Sequence, residues 1–436
     1  MIGQIEKKMN ETQKNITSKS WDNENRLNAT AKFVGFFINP IVGVLLSLYH
    51  INTKSSYAIL FLAFVAFGFS MVVPEIGTDD FGFDSVTYRN NFEDVTLQDS
   101  RDFQEILAEY FLLSETGGTD IYSTALMFLV AKFTSNYHVF FMVVAIVMAI
   151  FMLKTLRYLT SESNYRFSIY GLCLLFLFTM SQIIGVNMVR FYTAYWIALF
   201  ALFKIFVDKQ NRYFILIALT PLVHASYLLM LVIVPLTYLL HNRPRLVYIL
   251  LIFSVVFSTL SLTFLTYIID LLPSSLASHY DAYIDKDYMY RINESGTGYI
   301  WVRRILETLV WLSINIIAFI FTKQRKNIEG TKCHRLYSLL MAFVVFVNFT
   351  IGIPSVGSRY IMFVYPLIAY ISLLCFPDTL YRKIISVFAL FYISMFLILP
   401  WNIYQVPCLR FYTKLLDVSF WIYSPIVSFF KYVILA

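Results

Sequence analysis

Asp84, Tyr88 and Phe92 recur at intervals of four in the run Gly82-Phe83-Asp84-Ser85-Val86-Thr87-Tyr88-Arg89-Asn90-Asn91-Phe92, and on a helix such residues share one face. Asp79 lies just ahead, in a turn-like stretch after Pro74. A carboxylate beside aromatic rings suits a carbohydrate, since the carboxylate accepts hydroxyl hydrogen bonds and the rings cover apolar sugar faces. A solvated loop whose stripe merely packs on its neighbours would show the same spacing. A second pattern is cationic. Arg190 stands in Asn187-Met188-Val189-Arg190-Phe191-Tyr192 and Arg359 in Gly357-Ser358-Arg359-Tyr360, each beside a tyrosine and each at the edge of an apolar segment; Arg303 and Arg304 open a third such segment. A guanidinium in hydrocarbon is costly, so each must reach the interface, pair with an acid or face a polar cavity. Snorkelling satisfies any one of them. An anionic ligand satisfies all of them at once, and the guanidinium fork matches phosphate oxygens. His224 sits inside an apolar tract with Ser226 and Tyr227 close behind. A neutral, hydrogen-bonded structural imidazole is tolerated there, as is a general base or a group stabilising a phosphate. For the base His224 is preferred, with Asp84 as the alternative.

The elements that must position these groups are apolar segments of about 17 to 24 residues, each long enough to span a bilayer as a helix. They cover residues 33–49, 57–73, 137–153, 168–186, 191–207, 213–240, 246–269, 299–321, 336–353, 360–376, 384–400 and 420–433. Of the 436 residues 58% are hydrophobic and 14% charged, against about 25% charged in an ordinary soluble domain. The fold class is therefore all-α, a polytopic integral membrane protein with twelve to fourteen transmembrane helices and two larger extracytoplasmic loops. Residues 1–32 read as a flexible polar leader, and 33–436 as a single transmembrane domain.

Charge orients it. Loops 154–166, 208–212, 241–245, 322–335 and 377–383 are short and basic, which places them in the cytoplasm. Residues 74–120 carry twelve acids against Arg89 and Arg101, and 270–298 carry five against Lys286 and Arg291, so outer loops are expected at 74–136 and 270–298. Within the first, 121–134 is too short to cross and reads as an amphipathic helix at the outer interface. The tract 213–240 has basic residues beyond both ends, so it cannot be one straight helix; a break at Pro221 would make it a hairpin with His224 just past the break. Counting back places the N-terminus outside, despite the six basic residues of the leader. Arg190 and Arg359 then lie at the outer surface, against the positive-inside trend.

The net charge of +7 reads as cytoplasmic anchoring rather than nucleic-acid binding. Cys173, Cys333, Cys375 and Cys408 have no metal spacing, no ligand cluster suggests a metal, and no phosphate-binding glycine loop or redox pair points to a cofactor.

The Gly82-x-Asp84-x-x-x-Tyr88-x-x-x-Phe92 loop motif, the Asn187-x-x-Arg190 run and the short-helix element ending in His224-Ala225-Ser226 resemble, in this order, the EpsG-like branch of the Wzy-type polysaccharide polymerases. Members commonly have an arginine shortly before the Gly-x-Asp, where this chain has Pro74 and Glu75. The resemblance implies a metal-independent glycosyltransferase of the bacterial inner membrane. It would transfer a growing glycan from undecaprenyl diphosphate to a lipid-linked oligosaccharide repeat unit, alongside a flippase and a chain-length regulator. The candidate catalytic residues are His224, Asp84 and Arg190; Arg359, Arg303, Arg304, Tyr88, Arg89, Asp79, Tyr192 and Tyr360 are candidates for substrate binding. A flippase or other transporter, or an O-antigen ligase, would share much of this layout.

Overall fold

The computed structural model describes residues 21–73, 84–97, 103–105, 108, 121–179, 186–260, 300–353, 356–404 and 424–434. In chain order the helices are α1 (Arg26–Ile38), α2 (Pro40–Tyr49), α3 (Lys54–Phe69), α4 (Asp84–Thr96), α5 (Ile121–Ala131), α6 (Tyr137–Thr160), α7 (Ile169–Thr179), α8 (Val189–Phe206), α9 (Phe214–Val223), α10 (Met230–Leu240), α11 (Pro244–Val256), α12 (Ile300–Lys323), α13 (His334–Thr350), α14 (Gly357–Cys375) and α15 (Thr379–Tyr404). By length and composition 137–160, 189–206 and 304–323 can each cross a membrane, and nine further apolar helices are shorter. The described residues are thus an all-α membrane bundle; a count of twelve to fourteen crossings goes beyond them. The expected outer loop 270–298 and Asp79 lie outside the described residues.

The first apolar segment differs from expectation. Residues 33–49 are the two arms of a hairpin, not one crossing. Asn39 is extended at φ −158°, ψ 127°, because a residue before proline is pushed out of the helical region; Pro40 then starts α2, whose Ile41 amide is capped by Asn39 Oδ1 at 2.8 Å. The arms lie against each other so closely that a Cβ on Gly43 would come within 2.6 Å of Phe36 Cβ. With arms of about 20 and 15 Å, neither reaches across about 30 Å of hydrocarbon, and the chain emerges on the side it entered. The Asp22 amide accordingly donates to Asn52 O at 3.0 Å, and the buried Lys32 ammonium binds Glu24, Thr53 Oγ1 at 3.0 Å and Ser56 Oγ at 2.7 Å. Paired and hydrogen-bonded on this scale, a buried ammonium is tolerated.

That hairpin also sets residues 21–32 at the end of the bundle with the basic loops, not at the end that counting back gives. Trp21 packs on Tyr57 at 5.0 Å and under the Arg157 guanidinium at 3.7 Å, which sets residues 21–32 beside the basic end of α6. At the same end Glu162 holds Lys332 at 2.6 Å and the Tyr370 hydroxyl at 2.9 Å, Lys204 pairs with Asp208 at 2.8 Å, and the His241 and His334 rings lie 4.8 Å apart. The basic loops and the start of α1 therefore share one end of the bundle.

The tract 213–240 does fold as a hairpin, α9 and α10, but the turn is later than Pro221. Proline removes the amide that would bond Ile217 O, and the Thr220 hydroxyl takes that carbonyl instead at 2.7 Å, so α9 runs on to Val223. His224 is the first extended residue, at φ −156°, ψ 119°, and caps the 3-10 turn Ala225–Leu229. Residues 121–134 contain only the short helix α5, as expected, yet Leu126, Met127, Phe128 and Val130 are buried among α4, α6, α8 and α9. It is apolar nearly all round and packs into the bundle along one side, with Leu129 left exposed.

Between the two ends the interior is close-packed. Gly68 brings α3 onto α6, where a Cβ would sit 2.5 Å from Ala145 Cβ, the close approach that small residues give membrane helices. Asn348, fully buried on α13, bonds Trp311 Nε1 at 2.8 Å, Asn315 at 2.8 Å and Ser254 at 3.1 Å and so ties α11, α12 and α13 together. An impermeant maleimide applied to the periplasmic face should modify Thr87→Cys but neither Asn23→Cys nor Asn327→Cys. All three positions are exposed, so labelling of position 23 from the same side as position 87 would contradict the hairpin.

Candidate functional site

At the end of the bundle opposite the basic loops, α4, α8, α14 and the apex of the α9–α10 hairpin converge. Each brings one of the groups singled out in the sequence. Asp84 is the first residue of α4. Tyr88 and Phe92 follow on the same face and are buried, Phe92 stacked on Phe140 at 5.3 Å, so the stripe seats α4 on the bundle. The Asp84 side chain is reachable from solvent, yet desolvation by surrounding protein raises its carboxyl above the usual range, against the opposing pull of the Arg359 and Arg190 guanidinium groups.

Arg190 lies in the first turn of α8 and donates from Nε to the Tyr88 hydroxyl at 2.8 Å. Arg359 lies in the first turn of α14, its guanidinium 5.4 Å from the centroid of the Phe191 ring. It is half-buried and makes no hydrogen bond or ion pair among the described residues. Its backbone is placed by Gly357, where a Cβ would fall 2.7 Å from both Thr350 O and Ile351 Cα, so α14 can begin this close to the end of α13 only without a side chain there.

Phe191 serves both sides. Its other neighbour is the His224 ring, 5.5 Å away and nearly perpendicular. The hairpin apex that carries His224 is half-buried at this end of the bundle. Two tyrosines tie it to its neighbours: Tyr227 donates to Phe191 O at 3.1 Å, and Tyr360 donates to Ser226 O at 2.5 Å. Within the apex, His224 Nδ1 accepts from the Ser226 amide at 3.2 Å and lies 2.8 Å from the Ser226 hydroxyl. A backbone amide can only donate, so the neutral imidazole carries its proton on Nε2 and presents a donor there.

Of the residues proposed from sequence, Asp84, Tyr88, Arg190, Tyr192, His224, Arg359 and Tyr360 come together. Tyr192 is buried within electrostatic reach of both Arg359 and Asp84. Tyr88 and Tyr360 spend their hydroxyls on Arg190 and Ser226, which makes them struts of the site. Arg89 faces elsewhere: it bonds Val73 O at 2.6 Å and Glu93 at 2.7 Å and lies over the Tyr137 ring. Arg304 is exposed near the start of α12, and the Arg303 side chain lies outside the described residues. Sequence reasoning passed over Phe191 and over Asn187 as a separate contributor, and named Tyr227 only as a neighbour of His224. Phe191 was legible only as the neighbour of Arg190, since an apolar residue at a helix start carries no signal of being a platform. No group of three or more metal-binding side chains occurs among the described residues.

Tyr360→Phe removes the hydroxyl that ties α14 to the Ser226 carbonyl. The expected loss is about 0.5–1.5 kcal/mol of unfolding free energy, read as a lower midpoint in detergent titration. An unchanged midpoint would mean that this bond does not hold the apex.

No curated protein and no solved structure matches the chain. Residues 57–411 match the EpsG family, a stretch that contains every element of the site and leaves out the N-terminal hairpin. The chain belongs to the EpsG family, whose Wzy-type membrane polymerases its motifs resemble.

Proposed function

We propose that this cluster polymerises lipid-linked oligosaccharides at the outer face of the bacterial inner membrane. A growing glycan on undecaprenyl diphosphate is the donor, and a hydroxyl of a second lipid-linked repeat unit is the acceptor. The observation that carries the reading is Arg359, a half-buried guanidinium with no side-chain hydrogen bond or ion pair among the described residues, which together with Arg190 lies within electrostatic reach of Asp84. A guanidinium without a directed partner suits an anion, and a diphosphate supplies one.

In the reaction the acceptor oxygen bonds to the anomeric carbon of the donor sugar while the bond from that carbon to the diphosphate breaks. The electron pair leaves with the diphosphate, whose growing charge Arg359 and Arg190 stabilise. The acceptor proton goes to Asp84. This assignment inverts the order of preference drawn from sequence, on two grounds: a raised carboxyl is a better base near neutral pH than an ordinary one, and His224 offers Nε2–H, suited to donate to a phosphate or sugar oxygen. A flippase and a chain-length regulator would work beside it, the one supplying repeat units and the other setting how many are joined.

Deleting the gene should leave surface glycans capped with one repeat unit in place of a long ladder, since units would still be made and exported. Complete loss of even one unit would point to a flippase, and free polymer on its lipid carrier to a ligase. Arg190→Ala and Arg359→Ala, at wild-type protein levels, should each lower polymer output about a hundredfold. Arg359→Lys should recover only part, because it keeps the charge and loses the fork. Normal output from both alanine variants would remove the diphosphate assignment. A base must be ionised, so turnover should be present above the raised Asp84 pKa and fall as pH drops through it, with the acid limb above the ordinary carboxylate value of about 3.9. Asp84→Asn should abolish that limb along with most of the activity.

A further inference from the structure

Asn187 stands on the short turn that leads into α8, three residues before Arg190. The first amides of α4 have no partner inside the helix, and one of them is taken from outside: Asn187 Oδ1 accepts from the Ser85 N–H at 3.1 Å. Because that amide can only donate, the Asn187 oxygen, not its nitrogen, faces Ser85. One turn further along both helices, Arg190 Nε meets the Tyr88 hydroxyl at 2.8 Å. The helix α4 is therefore pinned to α8 at two points a turn apart. One pin would fix its height but let it swivel; two fix its rotation as well. The residue just ahead of the first pin is Asp84.

The geometry points to Asn187 as a positioning residue that holds the start of α4 so that the Asp84 carboxyl stays beside Arg190 and Arg359. This inference rests on the reading of Asp84 as the base. The division of labour along α4 supports it. Phe92 and Val95 bury the later turns independently of Asn187, so loss of the cap frays the first turn and leaves the rest seated. What moves is the carboxylate.

The test uses the full-length protein in nanodiscs with the undecaprenyl diphosphate-linked repeat units that accumulate in the host strain lacking the gene. Asn187→Ala should lower kcat about tenfold or more with KM changed less than about threefold, since the arginines still hold the diphosphate. In an Asp84→Asn background the same substitution should cost less than about twofold, because a residue acting through Asp84 has nothing left to act on. Asn187→Asp keeps an acceptor for the Ser85 amide and should return kcat to within about threefold of wild type. Independently of turnover, backbone hydrogen exchange over the first turn, residues 85–88, should accelerate in Asn187→Ala and not in Asn187→Asp. A full multiplicative loss in the Asp84→Asn background, or unchanged exchange in Asn187→Ala, overturns the inference. Failure of the underlying reading looks different: wild-type protein joins no repeats, or Arg359→Ala joins them normally, whatever Asn187 does.

Discussion

A chain in hydrocarbon must satisfy every backbone amide and carbonyl from within the protein, and the site depends on one place where a helix cannot do so. Between Val223 and Met230 the chain leaves α9, turns and re-forms as α10. The Thr220 hydroxyl takes the carbonyl that Pro221 leaves without an amide, and the turn itself is tied to its neighbours by two tyrosines. Tyr227 donates from the turn to the Phe191 carbonyl on α8, and Tyr360 on α14 donates to the Ser226 carbonyl of the turn. Since α8 carries Arg190 and α14 carries Arg359, those two bonds fix the turn that bears His224 to the two helices that bear the arginines.

Charge is then distributed with the same economy. The basic end of the bundle neutralises its carboxylates within itself, Glu162 with Lys332 and Asp208 with Lys204, and the buried ammonium of Lys32 is surrounded by Glu24 and hydroxyls. At the opposite end Arg89 pairs with Glu93 on α4, while Asp84 faces two guanidinium groups, one bonded to a tyrosine hydroxyl and one resting on an aromatic face. Partial desolvation strengthens any ionic contact made there relative to one in open water. The interior between the ends, along α8 from Tyr195 to Phe203, is buried and almost wholly apolar or aromatic. Such a core separates two chemically different faces and suits a reaction on one of them better than passage between them.

The N-terminal hairpin shows the same physics without a site. An Asn-Pro pair breaks the apolar run, and two glycines let the arms lie close. The polar ends of the arms return to the basic face, where Lys32 and Thr53 lock them. A run of apolar residues long enough to cross a membrane therefore need not cross it, because length permits a span and only the backbone at its centre decides whether the run stays straight.

Much of the candidate site was legible in the sequence. The four-residue spacing of Asp84, Tyr88 and Phe92 marked one helical face, basic residues at both ends of 213–240 required a turn, and arginines on the acidic side stood out against the charge trend of the other loops. Those are local or compositional facts, set by periodicity and by the energetics of charge in lipid. Which arginine would remain without a directed partner, which tyrosines would act as struts, and that Phe191 would lie between Arg359 and His224 were decided only when α4, α8, α14 and the hairpin apex met. Arg89 and Arg190 are the same residue type, each in or near a short motif, yet one ends on a carbonyl and a glutamate and the other in the site. Glu93, four residues past Arg89, already offered that arginine a partner on its own helix, whereas the partner of Arg190 lies about a hundred positions away and only folding brings it within 3 Å.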